Sequence, residues 1–326
     1  MKGKILCMLT IIGAIFFLAP SSFASAQENV DDYIIVDMQT GEKEIIDLDE
    51  EQYSDVGEFV SRPSFSSDLI GNGNALKNFL PNVTGIGTQS IIGTDDRWKV
   101  TNTNQYPYTT IARITVEYQD GTAACGTGAM VNSRLLATVG HVLINKNGSH
   151  PKSIRMQFGQ NGSYVYYDTS SFSSYIYRTG YETDRPVEGD YGFVVFKNNT
   201  VSSTTGFMGI VTAPSTSDKL YTAGYPGAMG YYYMYAATGN IVSMNNDLIY
   251  HNMDTQPGQS GSPVYIIGSD GYPYLVAMHS SGGGTVNIAR RLEPELFYWL
   301  RDNGYIGWFW TIFELEIYIL NSSITN

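Results

Sequence analysis

Ser260 lies between glycines in the run Pro257-Gly258-Gln259-Ser260-Gly261-Ser262-Pro263. A serine hydroxyl becomes a nucleophile when a tight turn presents it. Backbone N–H groups beside it must also converge on one point, where they stabilise the oxyanion of a tetrahedral intermediate. Flanking glycines permit that backbone and leave room for a substrate. Gly and Ser are also ordinary turn residues, so the turn alone is a weak signal. The hydroxyl needs a base, and the chain has 4 histidines, at positions 141, 150, 251 and 279. His141 follows Leu136-Ala137-Thr138-Val139-Gly140, a strand-like run ending in small residues, which suits the edge of a cleft. A structural histidine fits the same run. The base needs a carboxylate to orient it. Asp190 leads into Tyr191-Gly192-Phe193-Val194-Val195-Phe196, where an unpaired carboxylate would be costly, so a hydrogen-bonding partner is expected. Glu182, Asp184 and Glu188 lie in a polar loop and read as solvated.

These groups must be positioned by the elements around them. Short apolar runs recur from about residue 90, separated by Gly and Asn turns: 111–118, 134–138, 153–158, 191–196, 220–223, 263–267 and 274–278. Many short strands with such turns indicate an all-β barrel or sandwich. One helix is expected over 293–303, where Leu296, Phe297 and Leu300 fall on one side and Gly304 ends it. The chain order His, Asp, Ser is one of several on which a hydrolytic triad is built, and it is that of the chymotrypsin-like two-barrel fold.

The run from about Ser90 to Gly307 resembles the bacterial glutamyl endopeptidases of that fold. The matching stretches are Ser90-Ile91-Ile92-Gly93-Thr94-Asp95-Asp96-Arg97, Thr138-Val139-Gly140-His141 and Asp190-Tyr191-Gly192-Phe193. They continue with Asp254-Thr255-Gln256-Pro257-Gly258-Gln259-Ser260-Gly261-Ser262-Pro263-Val264 and Ala277-Met278-His279-Ser280-Ser281-Gly282-Gly283. The resemblance implies a chymotrypsin-like double β-barrel with a C-terminal helix. It implies His141 as general base, Asp190 as its orienter and Ser260 as nucleophile, with the N–H groups of Gly258 and Ser260 as the oxyanion hole. It further implies that Thr255 and His279 receive a Glu side chain, with Asp accepted less well. The α-amino group of a processed Ser90 would contribute to that pocket. Some relatives carry a Cys after the catalytic His; here the position is Val142.

Composition bounds the rest. Of 326 residues, 43% are hydrophobic and 15% charged, which permits a sizeable core and argues against disorder. Lys2 and Lys4, the uncharged run 5–19 and Ala24-Ser25-Ala26 read as a signal peptide over 1–26, so export is expected. Its removal takes away Cys7 and leaves Cys125 without a disulfide partner, either as a small buried residue, the favoured reading, or as a free thiol. The net charge of −12 is concentrated in residues 27–89, which carry 13 acidic and 3 basic side chains. That stretch reads as a separate small or flexible segment ending in a linker: an acidic solvated extension, or a propeptide removed near Gln89–Ser90. The protease domain is expected over 90–307. The apolar tail 308–326 fits an extra strand, an interfacial segment or a non-native extension. No basic patch points to nucleic acid. No stable membrane association is expected, and the chain reads as a monomer acting on protein and peptide substrates. No cofactor or catalytic metal is implied. Calcium could stabilise such a domain, but no Asp-x-Asp-x-Asp motif is present. Two rivals remain: a secreted serine protease of other specificity, and a non-catalytic binding module on the same fold.

Overall fold

The computed structural model describes residues 33–46, 48, 53, 56–66, 91–282 and 284–306. The expected signal peptide (1–26), Ser90 and the tail (308–326) lie outside them. The described chain forms strands β1 (Tyr33–Asp37), β2 (Lys43–Ile46), β3 (Val60–Ser61), β4 (Trp98–Lys99), β5 (Ile111–Tyr118), β6 (Ala123–Met130), β7 (Leu135–Thr138), β8 (Pro151–Phe158) and β9 (Tyr167–Thr169). It continues with β10 (Ser174–Arg178), β11 (Gly192–Val195), β12 (Gly209–Val211), β13 (Lys219–Gly224), β14 (Tyr235–Met244), β15 (Leu248–His251), β16 (Pro263–Ile267), β17 (Pro273–Gly282) and β18 (Asn287–Arg291). Three helices accompany them: α1 (Gly140–Leu143), α2 (Thr200–Thr205) and α3 (Pro294–Asp302). Helix α3 buries Leu296, Phe297 and Leu300, the residues that foretold it.

The strands form two nine-stranded sheets. The first runs β2-β1-β10-β11-β7-β6-β5-β8-β9 and is antiparallel throughout. In the second, β16-β13-β14-β15-β18-β17 closes into a six-stranded barrel because β16 pairs back onto β17. Strands β12, β3 and β4 are added to it. Closure leaves no free edge in those six strands. Small residues in β6 let the layers approach. A Cβ on Gly128 would meet Ile114 and Leu136 at 2.7 Å, so this glycine-rich strand reads poorly from propensity yet is fully paired.

Two expectations are corrected. Residues 27–89 are not a structurally separate segment throughout. Among the described residues, β1 pairs with β10 and β3 with β12, and Tyr33, Ile35, Val36, Ile46 and Phe59 join the main hydrophobic core. The acidic composition disguises buried apolar residues, Tyr33, Ile35 and Val36 in β1 and Ile46 in β2. Cys125 is half-buried rather than buried. It stands on β6 beside Arg113 and Thr115 of the neighbouring strand.

Candidate active site

Strand pairing puts His141 next to Asp190. Thr138, at the end of β7, pairs with Gly192, at the start of β11. The residues just beyond, His141 in α1 and Asp190 before β11, therefore emerge at one sheet end. Glycines allow the fit. A Cβ on Gly140 would meet the Tyr191 carbonyl at 2.8 Å, and one on Gly192 would meet the Val139 carbonyl at 2.6 Å.

Asp190 is 2% exposed and accepts four hydrogen bonds. His141 approaches through its backbone N at 2.9 Å and its Nδ1 at 2.8 Å. The Tyr181 and Ser280 hydroxyls each donate at 2.5 Å. Burial disfavours the carboxylate, yet the His141 charge and these donors outweigh it and hold its pKa well below the usual range. The His141 side chain keeps 33% of its exposure. Burial lowers its pKa, the Asp190 carboxylate raises it, and the carboxylate wins. With Nδ1–H donating to Asp190, Nε2 is left to take a proton.

The Ser260 turn is pinned to both sheets. Its carbonyl accepts from the Thr127 N–H of β6 at 2.8 Å, and the Gly261 N–H donates to the His279 carbonyl of β17 at 2.7 Å. The carbonyls of Pro257 and Gly258 are also occupied, by Gly227 N–H at 2.7 Å and the Thr127 hydroxyl at 2.9 Å. The N–H groups of Gly258 and Ser260 donate to no protein acceptor among the described residues. The turn therefore spends its carbonyls on the scaffold and keeps those two donors. Gly258 (φ 99°) and Gly261 (φ 82°) hold conformations that side chains resist. Gly126 ties this turn to the histidine. A Cβ there would touch Val142, the neighbour of His141, at 2.6 Å and the Ser260 carbonyl at 3.2 Å. Ser280 links the two from the other side, since it bonds Asp190 while its neighbour His279 bonds Gly261.

Thr255 and His279 are both buried, and the Thr255 Oγ1 and His279 Nδ1 have no partner among the described residues. Burial and nearby His141 push the His279 pKa down to about 3. The His251 ring lies 5.7 Å away, also buried. Ser90 lies outside the described residues. The chain just after it is held, however, because Asp254 accepts from the Ile92 N–H at 2.7 Å and the Asp96 N–H at 3.0 Å.

Sequence reasoning missed several supporting groups. Tyr181 and Ser280 bond Asp190, and only the adjacency of Ser280 to His279 hinted at that. A buried ion pair, Arg97 with Asp95, donates from Arg97 Nη1 to Gln259 Oε1 at 3.0 Å. The same Gln259 oxygen accepts from Gln256 N–H at 3.0 Å. Gln259 lies between the two free donors, so this network fixes the peptides that carry them.

A solved structure of a Glu endopeptidase in complex with MPD superposes with a TM-score of 0.56, at 22% identity, covering 64% of this chain and 97% of that one. The fold is that of the chymotrypsin-like bacterial serine proteases. In sequence, the chain is 29% identical over 219 residues to the glutamyl endopeptidase of Bacillus licheniformis, covering 64% of this chain and 67% of that one. It is 28% identical over 242 residues to a Bacillus subtilis protein named extracellular metalloprotease, covering 72% of this chain and 76% of that one. No family model matches the chain.

Proposed function

We propose that the protein is a secreted serine endopeptidase that cuts after Glu, and less well after Asp. One observation carries the reading: a buried Asp190 carboxylate orients His141, and the nearby turn holds Gly258 and Ser260 N–H groups that no described residue claims. In the proposed reaction the Ser260 hydroxyl attacks the scissile carbonyl while His141 Nε2 takes its proton. The two free N–H groups receive the oxyanion. Collapse of the intermediate breaks the C–N bond, and His141 returns the proton to the departing amine. Water then repeats the sequence on the acyl-enzyme. Asp190 stays ionised throughout and stabilises the imidazolium.

Specificity for Glu rests on the similarity to the glutamyl endopeptidase of Bacillus licheniformis and on Thr255 and His279, which hold polar atoms without a partner among the described residues, ready for a carboxylate. Burial and His141 lower the His279 pKa in the free site, which favours hydrogen bonding to that carboxylate over a charge pair. Processing near Gln89–Ser90 would free the Ser90 α-amino group for the same pocket. Export as an extracellular enzyme agrees with the name of the Bacillus subtilis relative. That name also raises a metal mechanism. Among the described residues, however, no three His, Cys, Asp or Glu side chains converge as a ligand set.

Digestion of a defined protein, with every cut mapped by mass spectrometry, tests the specificity. Cuts should concentrate after Glu. His279→Leu should lower kcat/KM on Glu substrates about 10- to 100-fold, the worth of one hydrogen bond to a charged group. Cuts without Glu enrichment would leave a serine protease of other specificity.

A further inference from the structure

The described residues between 33 and 66 pair with both sheets of the body that carries the candidate site. Strand β1 pairs with β10 over five residues, from Tyr33 opposite Arg178 to Asp37 opposite Ser174. At the other sheet, β3 pairs with β12, and Phe59 exchanges bonds with Thr212: its N–H donates to the threonine hydroxyl at 2.8 Å, and its carbonyl accepts from the threonine N–H at 3.1 Å. One stretch of chain therefore extends both sheets.

The side chains follow the backbone. Tyr33 meets Tyr191, the neighbour of Asp190, edge-on at 5.7 Å, and its hydroxyl donates to Glu293 beside α3. Phe59 stacks on Phe297 of α3 at 5.4 Å. Phe65 packs on Tyr106 at 4.2 Å. Lys43 donates to the Tyr177 hydroxyl at 3.1 Å and pairs with Glu182. All five residues of β10 are buried with β1 in place. Taking β1 away would expose Tyr175, Ile176 and Tyr177 on an unpaired edge, the arrangement that promotes aggregation.

We propose that residues 33–66 are a permanent structural part of this protein, a brace across both sheets. They stay bound when the chain is cut anywhere between residues 67 and 90. The processed form is then a two-chain molecule held by strand pairing and apolar burial, and processing releases a chain end without discarding the segment before it. This does not depend on the protease reading, because strand pairing and burial alone carry it.

The test uses the full chain with Ser260→Ala, which keeps any self-cleavage out of the result. A tobacco etch virus protease site is inserted between Gly73 and Asn74 and cut. Gel filtration in native buffer should return both pieces in one peak, in equimolar amounts, and they should separate only in denaturant. In the uncut chain Ile35→Asp should lower Tm by roughly 5–15 °C, while Ile45→Asp, at a side chain 63% exposed on the same segment, should leave it unchanged. A fragment that elutes apart from the body in native buffer, whether the body then aggregates or keeps its original Tm, would overturn it. Neither readout involves peptide hydrolysis, so its failure and that of the proposed activity are separately visible.

Discussion

Asp190 does more at the residue scale than orient a ring. Its four donors hold it ionised inside the protein, and its charge lifts the His141 pKa above 6.5, the ordinary value. A base works only when neutral. Activity should therefore fall as pH drops, with a midpoint for kcat/KM above that value, and the plateau should lie on the alkaline side. Asp190→Asn removes the lifting charge and favours the wrong tautomer. The midpoint should move down and kcat should fall about 10⁴-fold. Arg97 offers a second test. It touches no reacting atom in the proposed mechanism, but its bond to Gln259 fixes the peptides of the oxyanion turn. Arg97→Met should lower kcat about 10²-fold with little change in KM, since a shift near 1 Å in such donors has that effect. Arg97→Met and Gln259→Leu together should cost less than the sum of the single losses, because both break the Arg97–Gln259 bond, although Gln259→Leu also removes the acceptor of the Gln256 N–H. Additive losses would make Arg97 merely structural. The residues proposed as a triad could be singled out in the sequence because chemistry constrains their types and order. Arg97, Tyr181 and Ser280 could not, because each acts through a contact that spacing does not reveal.

The turn and the strands beneath it form the next scale. The Ser260 turn is locked by Thr127 on one side and His279 on the other. Gly261 is the tightest point, where a Cβ would lie 2.1 Å from the Thr127 carbonyl and 2.2 Å from the Thr138 hydroxyl. Gly261→Ala should destabilise the protein by about 2–3 kcal/mol and abolish turnover, as measured by denaturant melts and initial rates. Strands with alternating or continuous apolar runs were readable: β5 and β16 match their expected spans residue for residue. Strand β6 was not, because its alanines and glycines carry little strand propensity. Its glycines serve close packing against β5 and β7, a requirement visible only once the layers are assembled. Strand β1 was hidden differently. Its apolar residues stand in a stretch whose acidic composition suggested a solvated segment.

At the scale of the whole molecule, the candidate site sits where two sheets meet, and each supplies part of it. The first sheet brings His141 and Asp190, while the barrel of the second supplies His279 and Ser280 and anchors Gly261. Neither sheet could assemble the constellation alone, so its integrity depends on the packing between them. The order of motifs along the chain announced the two-sheet plan. The contribution of residues 33–66 to both sheets could not be read, since pairing partners more than a hundred residues apart leave no local trace. The central claim is that Ser260 is a nucleophile activated by this assembly. Mass-spectrometric mapping of the adduct formed by a fluorophosphonate probe on the processed protein tests it most directly. A single adduct on Ser260, forming faster as pH rises and lost in Ser260→Ala and His141→Ala, is the predicted result. An unlabelled Ser260 in folded, processed protein would contradict it and leave a binding module on a protease fold.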